Sequence, residues 1–109
     1  MYWYLMDKKQ LEIESRFFKG FADQSRLAIL TELMEGAKTV SQIAEATGLS
    51  QPNTSTHLAC LLECGLVQKE KIGREVSYEL ASKEIRDMIE SARKIVREHA
   101  DEIYKCTRY

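Results

Sequence analysis

The residues from Ser50 to Gly65 constrain the fold most, because they carry the start and stop signals of one short helix. Ser50 can cap the first turn by accepting a bond from a backbone N–H, and Pro52 is tolerated there because its missing N–H would be unpaired anyway. Gly65 suits the left-handed position that follows a last helical turn. At about 100° per residue, the side expected to face a core carries Thr54, Leu58, Leu61 and Leu62. The side expected to face outward carries Asn53, Thr56, His57, Cys60 and Cys64.

The segment before this helix predicts a second short helix, from Thr39 to Gly48, with Val40 and Ile43 pointing inward. Two short helices joined by a tight turn that contains glycine form a helix-turn-helix. In that motif the second helix enters the major groove of DNA, with its N-terminal residues nearest the bases. We therefore expect DNA contacts from Gln51, Asn53, Ser55, Thr56 and His57.

After Gly65 the apolar period changes from helical to two, which predicts a β-hairpin. Its strands run from Leu66 to Ile72 and from Glu75 to Leu80. A hairpin directly after a helix-turn-helix is a wing, and its basic residues Lys69, Lys71 and Arg74 are expected to contact phosphates. The alternative is a solvated hairpin edge, where lysine is common, and the nearby Glu70 and Glu75 weaken a basic patch.

Three further helices are expected, from Lys8 to Gly20, from Phe21 to Gly36 with Asp23 as N-cap, and from Ser82 to about Tyr104. The last has an apolar stripe at three- and four-residue steps, made of Ile85, Met88, Ile89, Ala92, Ile95, Val96, His99 and Ile103. So small a domain offers this helix little core to cover, so we expect it to pair with its twin in a twofold dimer.

The expected fold is mainly α with a small β-hairpin, an α+β winged helix-turn-helix. Residues 1–109 would form one domain with N- and C-terminal dimerisation helices. The apolar, aromatic segment 1–6 is expected to pack on something, and a second subunit is one candidate.

Composition limits the function classes. The net charge of −1 and the isoelectric point of about 6.1 argue against DNA binding by bulk charge, since many such domains have an isoelectric point above roughly 9. DNA binding must therefore rest on local placement of Lys and Arg. Three cysteines, an odd number, do not suggest a secreted disulfide framework. With no signal peptide and no membrane span expected, the predicted location is the reducing cytoplasm.

Cys60 and Cys64 carry the chemistry of the central helix. Their four-residue spacing places side chains one above the other on a helix surface, so both sulfurs could hold one ion. Thiolates are soft ligands and select soft metals. A thiol enzyme is disfavoured, because there is no Cys-x-x-Cys and neither histidine is placed beside a cysteine as a base.

The element order resembles the ArsR/SmtB family of metal-sensing winged-helix repressors over about residues 15 to 105. The resemblance rests on four segments: Ala22-Asp-Gln-Ser-Arg-Leu-Ala-Ile-Leu30, Leu49-Ser-Gln-Pro-Asn-Thr-Ser-Thr-His-Leu58, Cys64-Gly-Leu-Val67 and Gly73-Arg-Glu-Val-Ser-Tyr78. It implies a homodimer that sits on operator DNA and leaves it when a ligand binds.

The family places its ligand site in several ways. The Cys-x-Cys on the helix before the turn is absent, because Thr39 and Ser41 stand there. The zinc site between the last helices is rejected, because its first half falls on Arg86 and Met88. Cys60 and Cys64 do resemble the thiols of CmtR-type cadmium/lead sensors. In those sensors a third thiolate comes from near the partner's C-terminus, and Cys106 stands in the corresponding region.

The sequence therefore predicts a metal-responsive repressor that binds operator DNA as a homodimer. The metal ion, Cd(II) or Pb(II), would be bound by Cys60, Cys64 and Cys106. We expect no organic cofactor and no association with a membrane. Three sulfurs without a fourth ligand suit structural zinc poorly. The alternative is a winged-helix regulator that senses arsenite, antimonite or thiol oxidation through the same cysteines. A pure protein-interaction module is disfavoured by the wing and by the polar first turns of the central helix.

Overall fold

The structure is a computed structural model and describes residues 7–106, so the expectation for segment 1–6 lies outside the described residues. The elements follow in this order: α1 (Asp7–Ala22), α2 (Gln24–Leu33), β1 (Lys38–Thr39), α3 (Val40–Thr47), α4 (Gln51–Glu63), β2 (Val67–Ile72), β3 (Glu75–Leu80) and α5 (Lys83–Lys105). The predicted fold class is confirmed: a mainly helical winged helix-turn-helix with a small antiparallel sheet.

Local hydrogen bonds fix the ends of the two helices of the helix-turn-helix. Thr39 caps α3 in a capping box: its hydroxyl accepts from the Gln42 N–H, and its own N–H donates to the Gln42 side chain. Gly48 ends α3 at φ 79°, a left-handed conformation that favours glycine. The Ser50 hydroxyl then caps α4 by accepting from the Asn53 N–H at 3.2 Å. The caps predicted at Ser50 and Gly48 are therefore confirmed.

A single apolar core joins α2, α3, α4, the sheet and the start of α5. Its buried members are Ile29, Leu30, Leu33, Ile43, Leu58, Leu61, Leu66, Val67, Leu80, Ile85 and Ile89. Thr54 is fully buried within it, and its hydroxyl donates to the Ser50 carbonyl at 2.8 Å, so the buried polar group is satisfied. On α2, Ile29 is fully buried in this core, whereas Leu27 is 40% exposed.

The first helix does not end at Gly20 as predicted but continues to Ala22. Gly20 is buried where α1 crosses the chain that leaves α4, and a Cβ there would lie 2.4 Å from Leu66 Cδ1. The glycine is therefore required by close packing against Leu66, not by a helix end. Asp23 then caps α2, as predicted, by accepting from the Arg26 N–H at 3.0 Å.

The sheet contains a strand that the sequence did not predict. The two-residue strand β1 pairs antiparallel with β3, Lys38 opposite Tyr78 and Thr39 opposite Ser77, which gives the order β1-β3-β2. So short a strand has no readable alternation. The Lys38 ammonium donates to Glu32 at 2.6 Å and to Glu35 at 3.0 Å, which ties the strand to the end of α2.

The last helix is only partly covered by the rest of the chain. Ser82 caps it, and Ile85 and Ile89 are buried, whereas Ile95 and Ile103 on the same predicted stripe are about half exposed. At His99 the backbone leaves helical geometry, at φ −127° and ψ 23°, so the last turns form a separate short helical piece. Within residues 7–106, no helix is long and apolar enough to cross a membrane.

Candidate DNA-binding face and thiol pair

The first turns of α4 present polar side chains to solvent. Gln51, Asn53, Ser55 and Thr56 are all exposed, as predicted for a groove-facing surface. Gln51 Nε2 donates to Ser41 Oγ at 3.0 Å and so braces α4 against α3. The Thr56 hydroxyl donates to the Pro52 carbonyl at 3.0 Å, but its oxygen keeps accepting capacity. An amide such as that of Asn53 can both donate to and accept from a base edge.

His57 differs from the other residues predicted to contact DNA, because it is half-buried. It lies close enough to Asp23, at the start of α2, for its charge to affect that carboxylate. The pKa of Asp23 is lowered mainly by the hydrogen bond from the Arg26 N–H, with smaller contributions from the charges of Arg26 and His57. His57 therefore links α4 to the start of α2 as well as lying beside the exposed face.

The register of the hairpin sorts the charges of the wing onto two faces. Residues directly opposite each other in an antiparallel pair share a face. Lys69 is opposite Tyr78 and Lys71 opposite Val76, so both lysines lie on the face that continues from the core. Gln68, Glu70, Glu75 and Glu79 lie on the other face, where Gln68 Nε2 donates to Glu79 at 2.7 Å.

This separation resolves the concern raised by the acidic residues of the hairpin. Lys69, Lys71 and Arg74 are exposed, and Glu70 and Glu75 point away from the two lysines. Arg74 follows Gly73, whose φ of 64° allows the tight turn at the tip. A protein with nearly balanced net charge can thus present a basic surface locally.

The structure brings Cys60 and Cys64 together but covers them more than predicted. The Cys60 thiol lies near enough to Cys64 to raise the pKa of the Cys64 thiol. Both are half-buried rather than outward-facing, which corrects the expectation from the helical wheel. The reason is the C-terminal half of α1: the Cys64 thiol lies 3.9 Å from the Arg16 carbonyl and packs against the core.

The surroundings of Cys64 act on its proton in opposite directions. Burial raises the pKa of this thiol most, the neighbouring Cys60 raises it further, and the Arg26 guanidinium lowers it. Arg26 donates from Nη2 to the Lys19 carbonyl near the end of α1, and its Nε is buried without a hydrogen-bond partner in the described part of the chain.

Two soft sulfur donors beside the half-buried Arg26 fit a soft metal ion, because the guanidinium offsets the negative charge that paired thiolates would bring. Sequence reasoning missed Arg16 and Arg26 as neighbours of the thiols, because neither is near them in the chain. Cys106 is exposed at the end of α5. Within residues 7–106 of one chain, no group of three His, Cys, Asp or Glu residues lies close enough to hold a metal.

The comparisons with known proteins agree with this architecture. Residues 23–69 match the model of the family described as bacterial regulatory protein, arsR family. The chain is also 34% identical, over 94 residues, to a probable mercury resistance operon repressor of Streptomyces lividans, covering 86% of this chain and 75% of that protein. This chain belongs to the arsR family. Its matched region runs from the cap of α2 into the wing.

This arsR-family chain is also similar to two mycobacterial proteins. The transcriptional regulator CmtR of Mycobacterium tuberculosis is 42% identical over 67 residues, but the match spans only 57% of its length and 62% of this chain. The solution structure of a homodimeric winged helix-turn-helix domain, Mb0332 of Mycobacterium bovis, superimposes with a TM-score of 0.80 at 29% identity, covering 86% of this chain and 87% of that domain. The NMR structure of the cadmium metal-sensor CmtR from Mycobacterium tuberculosis superimposes with a TM-score of 0.62 at 39% identity, covering 70% of this chain and 80% of that one.

Proposed function

We propose that this arsR-family protein is a transcriptional repressor that binds operator DNA as a homodimer and releases it when a soft metal ion binds Cys60, Cys64 and Cys106. The observation that carries the proposal is the thiol pair on α4, the same helix that presents Asn53 and Ser55 to solvent. We further propose that residues 1–109 act as one domain in the cytoplasm, where thiols remain reduced.

Apolar surface supports the dimer. Along α5, Ile95, Val96 and Ile103 are between 48% and 58% exposed in the single chain. An apolar stripe of that length on a long helix is suited to a twin in a twofold interface. The related Mb0332 domain is homodimeric. We therefore assign dimerisation to the terminal helices.

The dimer would place two α4 helices in successive major grooves, about 34–36 Å apart. Asn53, Ser55 and Thr56 would reach bases or phosphates, with Gln51 at the helix start and His57 at the inner edge. Lys69, Lys71 and Arg74 would contact phosphates from the basic face of the wing.

The donor chemistry favours cadmium or lead as the ligand. Three thiolates without a fourth ligand suit structural zinc poorly, since such zinc sites are almost always four-coordinate. The cadmium metal-sensor CmtR and the mercury resistance repressor are both relatives, so mercury(II), another soft ion, belongs in the same test. Arsenite, antimonite or oxidation of the same thiols remains the alternative input.

The third thiolate is proposed to come from the partner subunit. Cys106 lies seventeen positions beyond Ile89, the last buried residue of α5. At 1.5 Å per residue, the ten positions from Ile89 to the break at His99 already carry the chain roughly 15 Å from that contact. A residue carried outward on an exposed helix is better placed to reach the other chain of a dimer. The separation of Cys106 from the thiol pair within one chain supports this arrangement.

The chain's own residues supply the response. A soft cation, when bound, would supply the charge that holds the sulfurs as thiolates. Cys64 could then no longer donate a proton to the Arg16 carbonyl, and its negative charge would repel that oxygen. The interaction between Cys64 of α4 and the Arg16 carbonyl of α1 would therefore change from attractive to repulsive. Arg26 would remain to balance the thiolates.

The test uses mixed dimers. Cys60→Ser/Cys64→Ser chains are mixed with Cys106→Ser chains, and thiolate-to-metal charge-transfer absorption is titrated with cadmium. Each parent homodimer is the control, because neither holds a complete three-thiol site. We expect three-thiolate absorption in the mixture at a fraction of the wild-type intensity. If wild type shows that absorption and the mixture does not, the cross-subunit assignment is wrong.

Release from DNA is measured in parallel on labelled operator. Cys60→Ser and Cys64→Ser proteins should still bind DNA but no longer release it on cadmium addition. Release by peroxide, with no release by cadmium, lead or mercury, would reject metal sensing in favour of thiol oxidation.

A further inference from the structure

Cys60 and Cys64 are joined by one turn of regular helix. The Cys64 N–H donates to the Cys60 carbonyl at 3.0 Å, which is the bond between residues four apart in an α-helix. Cys64 keeps right-handed helical geometry, at φ −83° and ψ −4°, although α4 itself ends at Glu63. The Cβ atoms of residues four apart in such a turn are about 5–6 Å apart. The backbone therefore fixes the separation across which the two sulfurs can meet one ion.

This separation is too wide for a disulfide between the two cysteines. The Cβ atoms of disulfide-bonded residues are only about 3.5–4.5 Å apart. Closing the gap would distort the last turn of α4, which is also held by the bond from the Leu66 N–H to the Leu61 carbonyl at 3.0 Å. The helix that carries the thiols therefore opposes their oxidation to a disulfide within one chain.

A metal ion held by two sulfurs in line fits the same separation. In a linear complex the sulfurs lie two metal–sulfur bonds apart, which is about 4.6 Å for bonds of about 2.3 Å. Sulfurs carried on Cβ atoms about 5–6 Å apart meet that spacing by leaning slightly toward each other. Hg(II) is a soft cation that takes two thiolates in this linear arrangement, and thiolates are the ligands that soft cations prefer.

The pair has no third ligand in its own chain. Within residues 7–106, no group of three His, Cys, Asp or Glu side chains lies close enough to hold an ion. The remaining positions, 1–6 and 107–109, contain none of these four residue types. An ion that prefers three or four ligands must therefore take one from elsewhere, whereas a two-coordinate ion finds its ligands already in place.

The surroundings of the pair favour a complex without net charge. Both thiols are half-buried, and Cys64 packs against the apolar core. Burying a charge that is not compensated is costly. A divalent cation with two thiolates is neutral, whereas a third thiolate leaves one negative charge to be offset. The two half-buried sulfurs therefore suit a divalent ion that stops at two ligands.

We propose that Cys60 and Cys64 of a single chain form a complete two-coordinate site for a soft divalent cation, with Hg(II) as the probe, and that this site does not require Cys106. When the ion binds, two S–H bonds break, two metal–sulfur bonds form and both protons pass to solvent, with no change of oxidation state. The inference rests on the proposed function in taking the thiol pair as the metal ligands. It adds that the coordination number of the ion decides whether the partner subunit must contribute a sulfur.

The test uses the reduced, full-length Cys106→Ser protein, which keeps only the pair. It is loaded with Hg(II) without oxygen, exposed to an excess of a monothiol and desalted, and the mercury retained per chain is measured. The matched control is Ala59→Cys/Cys60→Ala/Cys106→Ser, which exchanges an exposed alanine with its neighbour and so keeps two thiols. Its thiols are five positions apart and point about 140° apart around the helix. Cys60→Ser/Cys106→Ser is the control with one thiol.

We expect Cys106→Ser to retain one mercury ion per chain against the monothiol. Two thiols in register act as a chelate, because the second bond forms at the high effective concentration of a group already held nearby. Both controls should lose the ion to the competitor. Loss of mercury from Cys106→Ser to the same extent as from the matched control would overturn the proposal.

Mixing chains separates a site within one chain from a site shared by two. Cys60→Ser/Cys106→Ser chains and Cys64→Ser/Cys106→Ser chains each carry one thiol of the pair. Mercury retention restored by mixing them would show that the ion bridges two chains, and would overturn the same-chain assignment.

Cadmium keeps this inference apart from the proposed function. Three-thiolate cadmium absorption should be present in wild type and absent from Cys106→Ser. If it is, and Cys106→Ser also fails to retain mercury, the two-sulfur site alone is wrong. If the cadmium absorption survives in Cys106→Ser while mercury is retained, the three-sulfur site of the proposed function is wrong and the two-sulfur site stands.

Discussion

The charged residues on the two faces of the wing can be replaced separately, so the proposed DNA contact can be tested directly. Replacing Lys69 and Lys71 together by Ala removes both lysines from the face that carries Tyr78 and Val76. Each phosphate contact contributes about 0.9 to the slope of log affinity against log salt on B-form DNA. The proposed homodimer carries two wings, so the double variant removes four contacts and Arg74→Ala removes two. We therefore expect the magnitude of that slope to fall by about 3.6 in the double variant and by about 1.8 in Arg74→Ala.

The assay is fluorescence anisotropy of a labelled operator duplex across a salt series. The matched control is Glu70→Ala, which lies between the two lysines in sequence but on the opposite face of the strand. It should leave the slope almost unchanged and alter affinity only slightly, because exposed charges beyond about 10 Å are screened at moderate salt.

Because phosphate contacts carry no base identity, the lysine variants should lose affinity for specific and unrelated DNA by similar factors. An unchanged slope in Lys69→Ala/Lys71→Ala would refute the wing contact. A slope that Glu70→Ala changes as much as the lysine pair would refute the assignment of charges to faces.

Two further predictions concern the scaffold. Gly20→Ala should lower the free energy of unfolding measured in urea, because Leu66 must move from a 2.4 Å contact at a cost of about 1–3 kcal/mol. The higher helix propensity of alanine offsets about 0.5–1 kcal/mol of that cost. A raised urea midpoint would show that Leu66 moves away without cost. Asp23→Asn keeps a helix cap but removes a carboxylate whose pKa lies below its ordinary value of 3.8, chiefly through the Arg26 N–H bond. The stabilisation from the charged carboxylate is present above pH 3.8 and is lost as pH falls through the lower folded-state pKa. The difference in free energy of unfolding between wild type and Asp23→Asn should therefore shrink only below pH 3.8. A difference that does not depend on pH would contradict this.

Short-range rules predicted the helix-turn-helix well, because its ends depend on residues that are neighbours in the chain. Ser50, Gly48 and Gly65 each impose a local backbone geometry that sequence alone reveals. The wing's strands were predicted for the same reason. Assigning its charges to faces required the register that places Glu75 opposite Ile72.

Predictions failed where a distant segment decides the outcome. Gly20 was taken as a helix end, but its role is set by Leu66 far along the chain. Cys64 was placed on an outward face, because a helical wheel cannot show that α1 covers the second half of α4. The strand β1 was missed because its two residues pair only once β3 is in place.

The position of the thiol pair explains how one small domain could connect a metal ion to DNA. Cys64 contacts α1 through the Arg16 carbonyl, whereas Asn53 faces solvent at the other end of the same helix. Because α4 is one unbroken helix from Gln51 to Glu63, a changed contact at its second half must alter how its first half is held. A ligand shifts a conformational equilibrium only if it binds the two states with different affinity. Under the proposed function, thiolate formation at the α1–α4 contact would supply such a difference, since it would remove a hydrogen-bond donor that faces a backbone oxygen. By linkage, we then expect DNA to weaken metal binding by the same factor by which metal weakens DNA binding.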